Sequence, residues 1–357
     1  MLKALILAGG AGTRLRPITH TSAKQLVPVA NKPILYYTLE SVAAAGITEV
    51  GMVVGDTAPE IEDAVGDGSA FGVRVTYIRQ EAPLGLAHAV LVARDFLAED
   101  DFVMYLGDNL LQRDVGSLVE DFTARAPEVA ASILLTKVPD PTRFGVAELD
   151  TEGHVVRLVE KPADPPSDLA LVGVYLFTPC IHEAVEAIEP SARGELEITD
   201  AIQWLIDHGH TVRSQLLDGW WIDTGKLTPL LEANRLILET IESRVDGTVD
   251  DASQIEGRVV VEAGAEIRGS TVRGPVVIGA GTRIVDSYVG PFTSIAGHCQ
   301  ILRSEIEHSI VLESSRVEGV ARIADSLIGR EAEVRRVDVG PRALRLMLGD
   351  HSRVDLP

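Results

Sequence analysis

The sequence is poor in cysteine, in aromatic residues and in positive charge. Cys180 and Cys299 are the only cysteines, and their separation excludes both a CxxC metal motif and a disulfide framework. Such sparse cysteine is typical of a reducing compartment, and we expect a cytoplasmic protein. Lys and Arg total 32 against 53 Asp and Glu, which gives a net charge of −21. An acidic protein of this kind is expected to bind neither nucleic acid nor an anionic membrane.

Long hydrophobic runs are also absent. The apolar stretch Met1–Ala8 ends at two glycines and lacks the basic region and cleavage site of a signal peptide. No run reaches the length of a transmembrane helix. The hydrophobic content of 46% is ordinary for a globular protein, and 357 residues suggest about two domains.

The first part of the chain, to about residue 240, alternates apolar runs of strand length with runs of helical periodicity. Alternating strands and helices form right-handed βαβ units and predict an α/β fold with a doubly wound, mostly parallel sheet. Ligands of such sheets lie at the carboxyl ends of the strands. The predicted strands are Leu2–Ala8, Val50–Val54, Phe102–Leu106, Ala131–Leu135 and Leu171–Phe177, and the predicted helices are Pro33–Ala45 and Ala87–Phe96.

The second part of the chain has a different period. Aliphatic residues recur there at every fifth or sixth position, which fits neither a helix nor a simple sheet. This spacing predicts a hexapeptide-repeat parallel β-helix over 255–340. It would follow a domain over 1–240 and a polar linker over 241–254, and it would precede a tail over 341–357. The recurring residues are Val261, Ile267, Val272, Ile278, Ile284, Val289, Ile295, Ile301, Ile306, Val311, Val317, Ile323, Ile328 and Val334.

A glycine-rich loop, residues 9–13, follows the first predicted strand. Glycines let backbone N–H groups approach an anion closely, and Arg14 and Lys24 follow in the sequence. The loop lacks the Gly-Lys-Ser/Thr of a P-loop, and Leu15 stands where a dinucleotide-binding loop needs a small residue. A triphosphate site and a tight turn with two solvated cations both remain compatible with the loop alone.

A series of further motifs resembles the sugar-1-phosphate nucleotidyltransferase family over about residues 1–240. The branch that the sequence resembles most consists of enzymes that transfer a thymidylyl group from dTTP to glucose 1-phosphate. The resemblance implies a Rossmann-like nucleotidyltransferase domain, and the second region resembles the left-handed β-helix of the long form found in biosynthetic clusters for deoxysugars and antibiotics. The matching segments are 9–15 with Pro28 and 32–33, then 80–89, 106–109, 144–146, 160–162, 172–175, 193–200 and 221–225.

The resemblance assigns roles to individual residues. Arg14, Lys24 and Lys161 would be the catalytic cations, and Asp108 and Asp223 would bind Mg²⁺, an ion that prefers carboxylate oxygens. The nucleotide-binding residues would be Gly9, Gly10, Gly12, Thr13, Gln25, Gln80 and Gly85. The sugar-binding residues would be Gly145, Glu160, Tyr175 and Arg193. Arg193 is equally compatible with a surface salt bridge to Glu195 or Glu197, and His88 departs from the Gln usual in short members of the family.

Several alternatives stay open at this stage. The nucleotide could be UTP, and the sugar phosphate could be another close relative of glucose 1-phosphate. A β-helix is also typical of acyltransferases, for which His298 or His308 would be the candidate base, although a solvated turn residue is the commoner role. A non-catalytic sensor of nucleotide sugars is a third possibility. Because the coils of a β-helix are repetitive surfaces, we also expect a homo-oligomer.

Overall fold

A computed structural model describes residues 2–10, 12–20, 23–126, 128–336 and 347–355. The chain forms two compact units. The first unit comprises residues 1–11, 22–26 and 34–222, and the second comprises residues 12–21, 27–33 and 223–357. Two short segments near the N-terminus therefore belong to the same unit as the C-terminal region.

Strands and helices alternate up to residue 240 and give way to short strands beyond it. The first group of strands is β1 (Lys3–Leu7), β2 (Pro28–Val29), β3 (Lys32–Pro33), β4 (Glu49–Val54), β5 (Arg74–Arg79), β6 (Phe102–Leu106), β7 (Asn109–Leu111), β8 (Ala131–Lys137), β9 (Gly145–Leu149), β10 (Val155–Glu160), β11 (Leu169–Phe177), β12 (Val212–Leu216) and β13 (Trp221–Asp223). The helices are α1 (Ile34–Ala44), α2 (Ala58–Val65), α3 (Leu86–Val92), α4 (Arg94–Leu97), α5 (Gly116–Arg125), α6 (Ile181–Ala187), α7 (Ile198–Asp207) and α8 (Leu227–Leu238). Short 3₁₀ segments occupy Thr13–Leu15, Ile18–His20, Lys24–Leu26, Ser69–Phe71 and Pro141–Arg143.

The first unit is built on a mixed sheet with the order β10-β9-β11-β6-β1-β4-β5. In addition, β8 pairs with β11, and β12 pairs with β8. Strands β6, β1, β4 and β5 are parallel, whereas β11 runs antiparallel to its neighbours. Successive residues of β1 enter different cores, with Ile6 in one hydrophobic cluster and Leu5 in the other. Burial on both faces explains why these strands are continuously apolar. The predicted Rossmann-like fold is confirmed, with antiparallel strands added at one side.

Two predicted helices differ in detail from the structure. Pro33 lies in β3, so α1 begins one residue later, at Ile34, and Gly46 follows its end with a φ of 78°. The predicted helix Ala87–Phe96 is interrupted at Ala93, where α3 ends and α4 begins. Hydrophobic periodicity continues across this break, and it therefore gave no sign of the interruption.

The second unit contains three parallel sheets of short strands, with the orders β14-β17-β20-β23-β26-β28, β15-β18-β21-β24-β27-β29 and β16-β19-β22-β25. Their bounds are β14 (Arg244–Val245), β15 (Thr248–Val249), β16 (Gln254–Glu256), β17 (Val259–Val261), β18 (Glu266–Arg268), β19 (Thr271–Arg273), β20 (Val276–Ile278), β21 (Arg283–Val285), β22 (Tyr288–Val289), β23 (Thr293–Ile295), β24 (Gln300–Leu302), β25 (Glu305–Ile306), β26 (Ile310–Val311), β27 (Arg316–Glu318), β28 (Leu327–Ile328) and β29 (Glu333–Arg335).

The predicted β-helix is confirmed by this arrangement, which is that of a left-handed β-helix. The aliphatic series forms its interior, and most members, from Val261 to Val317, are fully buried in one cluster. Each member pairs with the one three places later, as Val261 does with Ile278, so one coil uses one residue from each sheet. The first strands, β14 and β15, lie inside the predicted linker 241–254. Of the predicted tail 341–357, only residues 347–355 are described.

The hairpin formed by β2 and β3 belongs to the second unit. Pro28 pairs with Pro33, and Val29 pairs with Lys32, so Ala30 and Asn31 form a two-residue turn. Both turn residues have positive φ, 48° and 63° respectively, as a type I′ turn requires. Asn tolerates this conformation, but Ala adopts it at a cost of about 1–2 kcal/mol. Contacts elsewhere in the second unit must therefore hold this turn.

Two further predictions from the sequence concern the cysteines and membrane-spanning helices. Cys180 and Cys299 are both free thiols, as predicted. Within the described ranges, no helix combines the length and the apolar character needed to span a bilayer.

The β-helix interior yields a stability prediction. Ile284 is fully buried, whereas Val285, the next residue of β21, lies half-buried on the opposite face of the strand. We expect Ile284→Ala to reduce the free energy of unfolding by about 2–5 kcal/mol, because it leaves a cavity between coils. The control Val285→Ala should cost less than about 1 kcal/mol. Urea unfolding of both variants provides the measurement, and equal losses would contradict the inward orientation of the series.

Candidate active site

The carboxyl end of β1 approaches the lysine and the two glutamines predicted to bind nucleotide. A Cβ atom placed on Gly10 would lie 2.8 Å from Cε of Lys24 and 3.7 Å from Nε2 of Gln25. A Cβ atom on Gly9 would lie 3.7 Å from Oε1 of Gln80. A side chain at position 10 would displace the end of Lys24, so the backbone of the loop lies directly against this lysine.

Lys24 forms an ion pair with Asp108, the predicted metal ligand. Both side chains are largely buried, with exposed fractions of 20% and 12%. The second oxygen of the Asp108 carboxylate accepts a hydrogen bond from Nδ2 of Asn109 at 3.0 Å. Nε1 of Trp221 in turn donates to Oδ1 of Asn109. The carboxylate is thus oriented by a chain of polar contacts that sequence reasoning did not predict.

Gln80 and Gly85 lie together, as the resemblance implies. Nε2 of Gln80 donates to the carbonyl of Gly85 at 3.2 Å and lies 2.9 Å from Nδ1 of His88. His88, which the sequence analysis left without a role, is therefore a contact of the predicted base-recognition residue. Gly85 has a φ of 109°, and a Cβ atom there would lie 2.3 Å from the carbonyl oxygen of Leu196. This close approach joins the 80–85 segment to the segment that carries Arg193.

The predicted sugar-binding residues lie on and beside the hairpin of β9 and β10. Gly145 pairs with Glu160 across these strands, and Lys161 follows with a φ of 42°. Nζ of Lys161 lies 2.9 Å from Oε1 of Glu160. The hydroxyl of Thr199 donates to the other oxygen of Glu160 at 3.4 Å. A left-handed conformation in a lysine at this place is typical of functional sites, where neighbouring structure enforces it.

Arg193 joins this group through carboxylates. Its Nη2 lies 2.6 Å from Glu195, 2.9 Å from Glu197 and 3.8 Å from Oε1 of Glu160. The local salt bridges predicted for Arg193 are therefore present, and its approach to Glu160 is compatible with the predicted sugar-binding role. Burial lowers its pKa, but the three carboxylates raise the pKa by more, so the guanidinium stays charged. A cleft of about 650 Å³ is lined by Glu160, Lys161, Arg193 and Glu197, among others.

Three further groups near this cleft have raised pKa values. Burial, followed by the charge of Glu160, raises the pKa of Asp200 and that of the Tyr175 hydroxyl. Burial is also the main cause that raises the pKa of Glu197. Tyr175 is only 4% exposed on β11 and packs in a hydrophobic core cluster. The cleft therefore combines fixed cations with carboxyl groups that are costly to ionise.

The remaining predicted residues belong to the second unit. Gly12 begins the 3₁₀ segment Thr13–Leu15 with a φ of 61°, and its carbonyl accepts a hydrogen bond from the hydroxyl of Thr19 at 2.6 Å. Thr13 and Arg14 are exposed. Asp223 ends β13, and its Oδ1 accepts a bond from the backbone N–H of Gly225 at 3.0 Å. The structure thus presents Arg14 to solvent and fixes the Asp223 carboxylate in a turn.

The histidines suggested for acyl transfer occupy turns of the β-helix. His298 is exposed and has a φ of 59°. His308 has a φ of 42°, and its Nδ1 pairs with Asp325 at 2.5 Å. These features are those of turn residues, and the Asp325 pair accounts for His308.

The carboxylates suit magnesium better than a transition metal. Among the described residues there is no group of three or more His, Cys, Asp or Glu side chains that could hold a metal ion. Mg²⁺ does not need such a group, since it is commonly held by one or two carboxylates, substrate phosphates and water. Asp108 has the hard oxygen donors and the fixed orientation that this ion requires.

The chain belongs to the nucleotidyl transferase family, whose model matches residues 3–240. The resemblance inferred from the sequence motifs is therefore confirmed. A glucose-1-phosphate thymidylyltransferase of Streptomyces griseus is 63% identical over 99% of both chains. A second, from Streptomyces antibioticus, is 60% identical over the same shares. Both matches therefore extend over the residues that form the β-helix in this chain.

A solved structure supports the fold of the first unit. It is a crystal structure of a candidate glucose-1-phosphate thymidylyltransferase from Bacillus anthracis in complex with sucrose. It superposes with a TM-score of 0.63 at 36% identity and covers 68% of this chain and 98% of its own. The match therefore extends over about two thirds of this chain and nearly all of the crystallised one.

The contact of Gly85 with Leu196 leads to a prediction about packing. We expect Gly85→Ala to destabilise the protein by about 2–3 kcal/mol, because the new methyl group would overlap backbone atoms. Gly194→Ala is the matched control, since Gly194 also has a positive φ, 76°, but open space around it. The control should lose about 1 kcal/mol from the backbone conformation alone. Urea unfolding compares the two, and a larger loss at Gly194 would contradict the prediction.

The raised pKa of Asp200 leads to a prediction about pH. The folded protein holds this carboxyl above its ordinary pKa, so the folded state binds more protons than the unfolded state in that range. Stability therefore falls as pH rises through these values, and the full penalty is present above the folded pKa. We expect Asp200→Asn to melt at a higher temperature than the original protein at about pH 8, with a difference that shrinks toward about pH 4.

Scanning calorimetry at several pH values tests this prediction. Asp207→Asn, at the exposed end of the same helix, is the control and should change the melting temperature little at any pH. A lower melting temperature of Asp200→Asn at about pH 8 would show that ionised Asp200 stabilises the fold.

Proposed function

We propose that this protein transfers a thymidylyl group from dTTP to glucose 1-phosphate, giving dTDP-glucose and pyrophosphate. The observation that carries the proposal is the pair of cationic sites in the first unit, each with its own surroundings. Lys24 lies against the glycine loop at the carboxyl end of β1, and Lys161 lies with Arg193 in a separate polar cleft. Two full-length relatives bear the name of this activity.

The reaction joins two anions and needs no general base. The attacking group is a phosphate oxygen, and with a second pKa of about 6 the phosphate is largely ionised at neutral pH. The protein must instead neutralise charge and align the attacking oxygen with the α-phosphorus of dTTP. Lys161 and Arg193 would hold the sugar phosphate. Lys24 and Arg14 would hold the triphosphate and stabilise the negative charge of the departing pyrophosphate.

The ion pair of Lys24 with Asp108 keeps each of these largely buried charges from being unpaired. Lys24 would turn from Asp108 toward the triphosphate when nucleotide is present. Asp108 and Asp223 would then hold Mg²⁺, which supplies positive charge to the phosphates when bound. Asn109 would keep the carboxylate of Asp108 in its orientation during this exchange. The glycine loop, with Gly9, Gly10, Gly12 and Thr13, would offer backbone N–H groups to the phosphates.

Recognition of the base and the sugar would rest on the remaining contacts. Gln80 and Gln25 present amide groups, and an amide can both donate to and accept from a pyrimidine edge. Oε1 of Gln25 is buried without a hydrogen-bond partner among the described residues, so it is available to a donor on the ligand. Glu160 would accept bonds from sugar hydroxyls, with Gly145 and Tyr175 shaping the pocket. UTP or another sugar 1-phosphate is the alternative substrate within the same chemistry.

The cellular setting follows from the substrates. We place the protein in the cytoplasm, where nucleoside triphosphates are made, and we expect a homo-oligomer that binds neither nucleic acid nor membrane. Its product would serve the biosynthesis of deoxysugars or of glycosylated secondary metabolites. An acyltransferase activity of the β-helix is the weaker alternative, because both candidate histidines, His298 and His308, occupy turns with positive φ.

Pyrophosphate release from dTTP, glucose 1-phosphate and Mg²⁺ tests the proposal. We expect Lys161→Ala to reduce kcat/KM for glucose 1-phosphate by about 100-fold or more, since one positioned charge is lost. Lys137→Ala is the control, because Lys137 is 72% exposed and pairs with Asp168, outside the lining of the cleft. Asp108→Asn should abolish release.

The same assay measures the nucleotide specificity when dTTP is replaced with UTP, CTP, ATP or GTP. Faster release with UTP would move the proposal to the alternative substrate. Folded protein that releases no pyrophosphate with any of these nucleotides would overturn the assignment to glucose 1-phosphate.

A further inference from the structure

The β2–β3 hairpin, residues 27–33, connects two parts of the chain with different roles. It continues directly from the 3₁₀ segment Lys24–Leu26, which carries two of the proposed nucleotide-binding residues, and it leads into α1. The hairpin belongs to the second unit together with α8 and the β-helix. Its turn residues, Ala30 and Asn31, both have positive φ and need external support.

Asn234 of α8 supplies that support. Its side chain is completely buried. Oδ1 accepts hydrogen bonds from the backbone N–H of Ala30 at 2.8 Å and from the hydroxyl of Ser294 at 2.9 Å. Nδ2 donates to the carbonyl of Phe292 at 3.0 Å. One amide therefore joins the hairpin turn to strand β23 of the β-helix and to the residue just before it.

A second contact acts at the same turn. Nδ2 of Asn31 donates to the backbone carbonyl of Ile295, the last residue of β23, at 2.7 Å. Adjacent residues of the turn are thus bound separately, one through its backbone and one through its side chain. Both contacts reach the same strand region of the β-helix, so the position of the turn is set by that strand.

The chemistry of Asn234 indicates a positioning role. A buried amide is unfavourable unless its polar atoms are paired, and its removal leaves its partners unpaired as well. An apolar side chain would fill a helix–strand contact equally well without this requirement. The bonds instead fix a particular relation between the hairpin and the β-helix, which hydrophobic packing specifies less sharply.

We propose that Asn234 is a positioning residue for nucleotide binding, through which the β-helix fixes the hairpin and thereby the adjoining Lys24 and Gln25. The inference rests on the proposed function, since it assumes that these two residues meet the nucleotide. It gives the β-helix a part in the reaction that differs from assembly. It also predicts that damage at this contact weakens the use of dTTP while leaving glucose 1-phosphate unaffected.

The test compares Asn234→Ala and Asn31→Gly with the original protein. Asn31→Gly removes the side-chain bond but keeps a residue that adopts positive φ readily. We expect KM for dTTP to rise about tenfold in each variant, because a small displacement of a binding group is costly, with KM for glucose 1-phosphate unchanged. Hydrogen exchange of the amides in residues 23–33 should accelerate in both variants.

Ser309→Ala is the control. Ser309 is completely buried in the β-helix and bonds to the Glu307 carbonyl, but none of its hydrogen bonds involves the hairpin. It should lower the melting temperature without changing either KM or the exchange of residues 23–33. If Asn234→Ala does not fold, Asn31→Gly decides the matter alone.

Unchanged exchange in residues 23–33 together with unchanged KM for dTTP would overturn the inference, as would equal changes in both KM values. Failure of the proposed function gives a different result. In that case the original protein releases no pyrophosphate from dTTP, while the exchange comparison still reports whether Asn234 holds the hairpin.

Discussion

Mutual repulsion of two phosphate-bearing substrates is the constraint on which the rest of this structure depends. The protein has a net charge of −21, so its overall field opposes both substrates. The attraction must be local, and under the proposed function it would come from Lys24 beside a glycine loop and from Lys161 and Arg193 in a cleft. Each of these cations is paired with a carboxylate. Such pairing limits the cost of holding charge in a partly buried place and leaves the cations ready to exchange partners.

The fold explains why these groups occur where they do. Parallel strands β1, β5 and β6 end at one edge of the sheet, and the loops that follow them bring Gly10, Gln80 and Asp108 to that edge. The cleft with Lys161 is built differently, on antiparallel strands that the sequence alternation did not predict. The two cationic sites thus arise from the two kinds of strand pairing present in the sheet.

The sequence predicts the fold well wherever the signal is periodic. The aliphatic series located nearly every interior position of the β-helix, and β6 has the predicted bounds. Hydrophobic periodicity gives no information about irregular backbone. The prediction therefore missed the break between two helices at Ala93 and the start of the β-helix strands at Arg244. Ordered motifs supplied the candidate site residues, but they did not indicate the side chains that contact them. The contacts of Asn109 with Trp221, or of Gln80 with His88, depend on which distant segments meet, and no local pattern encodes that.

The same limit applies to the relation of the β-helix to the nucleotide-binding segment. A repeat that buries one aliphatic residue per turn specifies a rigid column of coils. It does not specify how other segments of the chain attach to that column. Attachment depends on polar groups that interrupt the apolar pattern, and Asn234 is such a group, because it lies buried on a helix among apolar neighbours. Because the coils are rigid, hydrogen bonds to them hold the hairpin in one position. These directional bonds also stabilise a turn whose own backbone conformation is unfavourable. The β-helix can therefore stabilise a turn conformation that residues Ala30 and Asn31 do not favour by themselves.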